Sequence, residues 1–86
     1  MPFTVEVAKP AEKALRGLER KFQAQIAARL KELASNPRPH DSIQMKGCSH
    51  FRLDSGNFRV VYDIDYPSDT VVVLDIGDRK DIYRGY

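Results

Sequence analysis

The fold is decided by His50-Phe51-Arg52-Leu53-Asp54-Ser55-Gly56-Asn57-Phe58-Arg59-Val60-Val61-Tyr62-Asp63-Ile64-Asp65. Two alternating stretches, His50 to Asp54 and Phe58 to Asp65, flank the turn-forming Ser55-Gly56-Asn57. Alternation with a period of two predicts a strand with one buried face, and so short a connection predicts an antiparallel hairpin. Phe51 and Leu53 then point one way, and Arg52 and Asp54 the other. In the following strand Phe58, Val60, Tyr62 and Ile64 share the core face, and Arg59, Val61 and Asp63 the opposite one. Two registers satisfy this parity. A loop at Ser55-Gly56 sets Arg52 opposite Arg59; a loop at Gly56-Asn57 sets Asp54 opposite Arg59. The first places like charges across a strand pair, whereas the second forms a salt bridge that partly neutralises the pair. Parity alone leaves both open.

Tyr66-Pro67-Ser68-Asp69 follows as a turn, and Thr70 to Ile76 predicts another strand, in which Val72, Leu74 and Ile76 alternate with Val71, Val73 and Asp75. Working towards the N-terminus, residues 40 to 48 form a polar, glycine-containing connection. Before it, Phe22, Ile26, Leu30 and Leu33 mark a helix from about Lys21 to Ala34, closed by Ser35-Asn36-Pro37-Arg38-Pro39 because proline cannot continue it. Pro10 opens an earlier helix with Ala11, Ala14, Leu15 and Leu18 on one face, and residues 3 to 8 alternate as a first strand. The order β-α-α-β-β-β predicts an α+β fold, two N-terminal helices on one face of a mainly antiparallel, twisted four-stranded sheet. Residues 1–86 are expected to form a single domain, a length that suits one core.

Composition narrows the class. Apolar residues are 42% and charged residues 30%, which fits a folded globular chain and not a disordered one. No apolar run approaches the ~20 residues that span a bilayer, and Met1-Pro2-Phe3-Thr4-Val5-Glu6 lacks the pattern of a signal peptide, so no membrane partner is expected. The single cysteine, Cys48, has no internal partner, which makes the cytoplasm the expected setting. His40, His50 and Cys48 lack metal-site spacing, and there is no P-loop, dinucleotide fingerprint or nucleophile triad; no metal and no cofactor are expected. The net charge is only +2, but eight of the fourteen basic residues precede residue 40. Lys9, Lys13, Arg16 and Arg20 recur at intervals that would align them on one face of the first helix, as a solvated face or as a set of phosphate contacts. The second half carries six basic residues against eight acids, so an anion site there must be built from a few placed cations.

From Lys46 to Tyr83 the pattern resembles the RelE/ParE toxin superfamily, through Met45-Lys46-Gly47, Phe51-Arg52-Leu53, Gly56-Asn57-Phe58-Arg59-Val60-Val61-Tyr62 and Ile76-Gly77-Asp78-Arg79-Lys80-Asp81-Ile82-Tyr83. The resemblance implies a RelE-like fold and one of two activities: RelE-like members cleave mRNA in the ribosomal A site, and ParE-like members poison DNA gyrase without RNA cleavage. The residues it implies for RNA cleavage fall on Arg52, Arg59, Arg79 and Tyr83, all of matching type. Two departures stand out. Relatives often carry at position 54 a basic residue that is a leading candidate for the general base, and this chain has Asp54 there; Asp78 stands where many have histidine.

Metal-free RNA cleavage needs a base for the 2′-hydroxyl, cations for charge growing on phosphate oxygens, and an acid for the leaving 5′-oxygen. Arginine suits the middle role, because its guanidinium binds phosphate with parallel hydrogen bonds and stays charged. That role is expected of Arg59, with Arg79 assisting or protonating the leaving group; Tyr83 is expected to stack on a base of the message or help proton transfer. Arg52, Asp54 and Lys46 are the candidates to orient or deprotonate the hydroxyl. Lys46 and Lys80, with the row Lys9, Lys13, Arg16 and Arg20, are expected RNA or ribosome contacts. The expectation is a ribosome-dependent mRNA endoribonuclease, silenced by a cognate antitoxin and meeting operator DNA only through the toxin–antitoxin complex. The rival expectations are a gyrase poison without chemistry of its own and a degenerate relative that only binds its partner and operator DNA.

Overall fold

The computed structural model describes residues 2–80. Its elements run β1 (Thr4–Val7), α1 (Lys9–Arg16), α2 (Arg20–Ser35), β2 (Ile43–Gln44), β3 (Phe51–Ser55), β4 (Phe58–Asp65) and β5 (Thr70–Asp78). The α+β class and the element order are as expected, with one addition. The sheet has five strands in the order β1-β5-β4-β3-β2, because Ile43 and Gln44 pair with Arg52 and Phe51 at its edge. Two residues are too few to show alternation, so nothing in the sequence sets this strand apart from the connection around it. All pairings are antiparallel except β1 with β5.

The helices bury one face of this sheet. Ala11 from α1 and Ile26, Leu30 and Leu33 from α2 pack on Phe51, Leu53, Val60, Tyr62, Val71, Val73 and Ile76. Phe58 and Ile64 join from the margin, completing the core face expected of β4. The Tyr62 hydroxyl, carried to the edge of this core, donates to the Pro37 carbonyl at 2.8 Å. A buried phenol must find such a partner, and burial raises its pKa. That bond ties the post-helix loop to the sheet. Arg29 fastens the same loop from α2 through Asp41 at 2.6 Å.

Two local features aim the side chains of the other face. The hairpin turns at Gly56-Asn57, with Gly56 at φ +60°, a left-handed value that glycine adopts without a Cβ clash. This selects the register in which Asp54 faces Arg59 and Arg52 faces Val61. The second feature is a β-bulge: Val61 pairs with Asp75 and Tyr62 with Val73, leaving Leu74 over. The expected alternation of the last strand therefore breaks. Ile76 shares the core face with Val71 and Val73, while Leu74 packs with Met45, Cys48 and Val61 on the helix-free face. Past the bulge, Gly77 lies opposite Arg59 and Asp78 opposite Phe58.

Candidate anion-binding groove

The strand parity that buries Leu53 and Val60 puts Arg52, Asp54 and Arg59 on the helix-free face. The bulged register brings the end of β5 to the same place, where the Arg79 amide donates to the Asn57 carbonyl at 3.0 Å. Arg52, Asn57, Arg59, Asp78, Arg79 and Lys80 line an open groove of about 670 Å³. Four of these six are cationic, so a chain region with more acids than bases still presents a local positive site.

The cations do not stand alike. Arg59 is 4% exposed and holds Asp54 through two bonds, Nε to Oδ1 at 2.7 Å and a terminal nitrogen to Oδ2 at 3.3 Å. Such a forked, charge-assisted pair is the strong form of the arginine–carboxylate contact. Arg79 reaches the same carboxylate at 3.7 Å, but its side chain remains 53% exposed. Lys80 is exposed, and its amide donates to Asp78 Oδ1 at 2.9 Å, which shapes the chain as it leaves β5. The Asp54 carboxyl titrates below its ordinary range, first because Arg59 hydrogen-bonds it, and further through the charges of Arg59, Arg79 and Arg52, against the opposing effect of burial. A carboxylate so stabilised is charged at neutral pH but a weak proton acceptor.

The sequence-derived candidates divide accordingly. Arg52, Arg59, Arg79 and Lys80 converge on the groove, and Asp54 joins them through its ion pairs. The expectation that Arg59 presents its guanidinium to a ligand meets a carboxylate already bound there. Lys46 is exposed in the loop after β2 and does not line the groove. Tyr83 lies outside the described residues. The row Lys9, Lys13, Arg16 and Arg20 is exposed but does not share one helix: α1 ends at Arg16, and Arg20 is the first residue of α2. Because α1 packs on the helix-covered face, this row and the groove lie on opposite sides of the sheet. Asn57 lines the groove as well, at a position that residue type does not mark. Its only signal was its place at the hairpin tip, two residues before Arg59.

His50 is committed elsewhere, to Asp63 through Nδ1 at 2.5 Å. Among the described residues no group of three or more His, Cys, Asp or Glu side chains is placed to hold a metal. What the groove offers is a set of arginine and lysine donors beside the Asp54 and Asp78 carboxylates.

The sequence model of the ParE toxin of type II toxin–antitoxin systems, parDE, matches residues 5–83. The chain belongs to the ParE toxin family, within the RelE/ParE superfamily. A protein of Escherichia coli named for its likeness to RelE toxins is 29% identical to this family member over 88 aligned positions, covering 98% of this chain and 93% of that one. Among solved structures, a chain of the archaeal RelE–RelB complex from Pyrococcus horikoshii superposes with a TM-score of 0.83 at 23% identity, over 94% of this chain and 99% of that chain. The isolated RelE toxin of E. coli gives 0.78 at 22% identity, over 95% and 92%. At such identities the structural likeness speaks for the fold alone, and the RelE/ParE toxin fold it supports is the one described above.

Proposed function

We propose that the chain is a RelE-like toxin that cleaves mRNA in the ribosomal A site, with the helix-free groove as its phosphate site. The observation that carries this reading is the convergence of Arg52, Arg59, Arg79 and Lys80, drawn from three separate stretches of chain, on one groove. In the reaction the 2′-oxygen forms a bond to the adjacent phosphorus as the bond from phosphorus to the 5′-oxygen breaks. The hydroxyl proton leaves, and the 5′-oxygen gains one. Arg79, half exposed at the groove, is the cation best placed to meet the phosphate oxygens, with Arg52 and Lys80 beside it. Arg59, held by Asp54, contributes its charge from beneath. Proton transfer is the step this groove equips least, since Asp54 is a weakened base. Dependence on the ribosome to position the message follows from that deficit.

The partner that silences such a toxin is a cognate antitoxin, whose segment, disordered when free, folds across the groove. Operator DNA is then met only through the complex, and the cytoplasm is the setting in which message and ribosome are available. No helix among the described residues is long and apolar enough to cross a membrane.

A second reading, a ParE-like poison of DNA gyrase with no chemistry of its own, is favoured by one observation. The carboxylate of Asp54 sits on the central arginine, where an RNA-cleaving groove would place its phosphate. Primer extension on a reporter mRNA in a purified translation system separates the two. The nuclease reading expects cuts at the A-site codon that disappear with Arg79→Ala. Intact message together with inhibited gyrase supercoiling would establish the second.

A further inference from the structure

We propose that Asp54 is a built-in competitor for the groove's anion, which lowers the affinity of the groove for phosphodiesters by occupying Arg59 and drawing on Arg79. The proposal rests on the groove being a phosphate site and adds how that site is attenuated.

Three observations carry it. First, the contact is dictated by the hairpin and is not an accident of side-chain placement. Asp54 and Arg59 are direct cross-strand partners, and the turn at Gly56-Asn57 fixes that register. Side chains so paired start from Cβ atoms about 5 Å apart, so the contact is within easy reach. Second, the carboxylate uses the same donors that a phosphate would. It takes Nε and a terminal nitrogen of Arg59 and approaches Nε of Arg79. Two oxygens of a carboxylate and two of a phosphate can each take the parallel hydrogen bonds of a guanidinium fork. Third, the competitor is not sealed in. The Asp54 side chain is 41% exposed at the groove, while the Arg59 side chain beneath it is 5% exposed. An incoming phosphate therefore meets a negative charge first, and either displaces it from Arg79 or binds beside it.

A neutral side chain at this register keeps the hairpin and removes the repulsion. Asparagine can still accept from Arg59 Nε through its amide oxygen, so the turn and pairing survive the change.

The test uses the full chain and a short fluorescein-labelled RNA carrying 2′-O-methyl groups throughout, which lacks the nucleophile and cannot be cleaved. Binding is read by fluorescence anisotropy, and folding by circular dichroism. Asp54→Asn should bind this RNA about tenfold tighter than the wild type, the equivalent of about 1.4 kcal/mol, and with a steeper dependence on salt. Asp54→Ser should show the same gain, and Asp54→Glu, which keeps the charge, should stay close to the wild type. Folded neutral variants that bind no tighter than the wild type would overturn the proposal, as would an equal gain in Asp54→Glu.

Primer extension with the same variants keeps this outcome apart from the nuclease reading. Tighter binding without cleavage by any variant would leave the attenuator standing and remove the nuclease. Wild-type cleavage with unchanged affinity in the neutral variants would do the reverse.

Discussion

The two faces of the sheet differ in what they ask of their residues. On the helix-covered face, side chains from α1, α2 and three strands close over one another, and eleven buried residues among those described form a continuous core. Apolarity and parity are enough to specify it. The helix-free face is divided. A small apolar patch of Val61, Met45, Cys48 and Leu74 covers one part. The other part is the groove, where Arg59 is nearly as buried as the core residues. A guanidinium brought that far out of water needs a compensating partner, and Asp54 supplies it. One face thus stabilises the molecule mainly through non-directional contacts. The other holds charge in place through specific pairings, and that is where a ligand can be recognised.

If the faces divide their work in this way, substitutions should separate stability from activity. The largest effect is expected for Ile26→Ala, at a side chain that is 1% exposed in the core. It should cost about 2–5 kcal/mol in urea denaturation; a smaller loss would mean that the core is less tightly packed than described.

Arg79→Ala should lower cleavage by about 10²-fold, the size of losing one charge-stabilising donor. Its side chain is half exposed, so stability should stay within about 0.5 kcal/mol of the wild type. Arg59→Ala breaks this separation, because it removes a side chain only 5% exposed together with its two bonds to Asp54. A loss of about 1–3 kcal/mol is expected beside any loss of activity. Equal stability in the two variants would show that the Asp54 pair contributes nothing to the fold.

The acid limb of stability sharpens the same contrast. Asp54 and Asp41 both titrate below their ordinary value of 3.8, each chiefly through an arginine hydrogen bond. Their contribution to stability is fully present above that value and is lost as pH falls through the lower folded values. The stability difference between the wild type and Asp54→Asn should therefore shrink towards zero in the acid range. A difference that persists at low pH would assign the effect to packing. The smallest effect belongs to Glu12→Ala. Its ion pair with Arg16 is exposed on α1 and should contribute under about 0.5 kcal/mol in thermal melts.

How far each face could be read from sequence follows from the same difference. The helix-covered core was legible, since Phe51, Leu53, Val60 and Tyr62 alternate with polar neighbours and Ile26, Leu30 and Leu33 recur at helical spacing. The bulge was not. Val71-Val72-Val73-Leu74 is apolar throughout, so no polar residue marks where the parity changes. The hairpin register was open for a related reason: both loops keep the apolar faces together, and the choice falls to the charge pair Asp54–Arg59 and the left-handed Gly56.

In the groove, Arg52, Arg59 and Arg79 could be named from strand parity and family resemblance. That Arg59 faces a carboxylate already in place could not, because it depends on the register. The alignment of Arg20 with Lys9, Lys13 and Arg16 failed because helical spacing was extended across a helix end. α1 closes at Gly17, which caps it through its amide, and α2 starts afresh.

Primer extension on a reporter mRNA in a purified translation system, with toxin added and antitoxin withheld, tests the central claim most directly. The account predicts cuts at the codon in the A site with the wild type and their loss with Arg79→Ala, while Ile26→Ala, wherever it remains folded, still cuts at the same codon. Intact message with the wild type, or cuts that survive Arg79→Ala unchanged, would contradict the assignment of the chemistry to the helix-free groove.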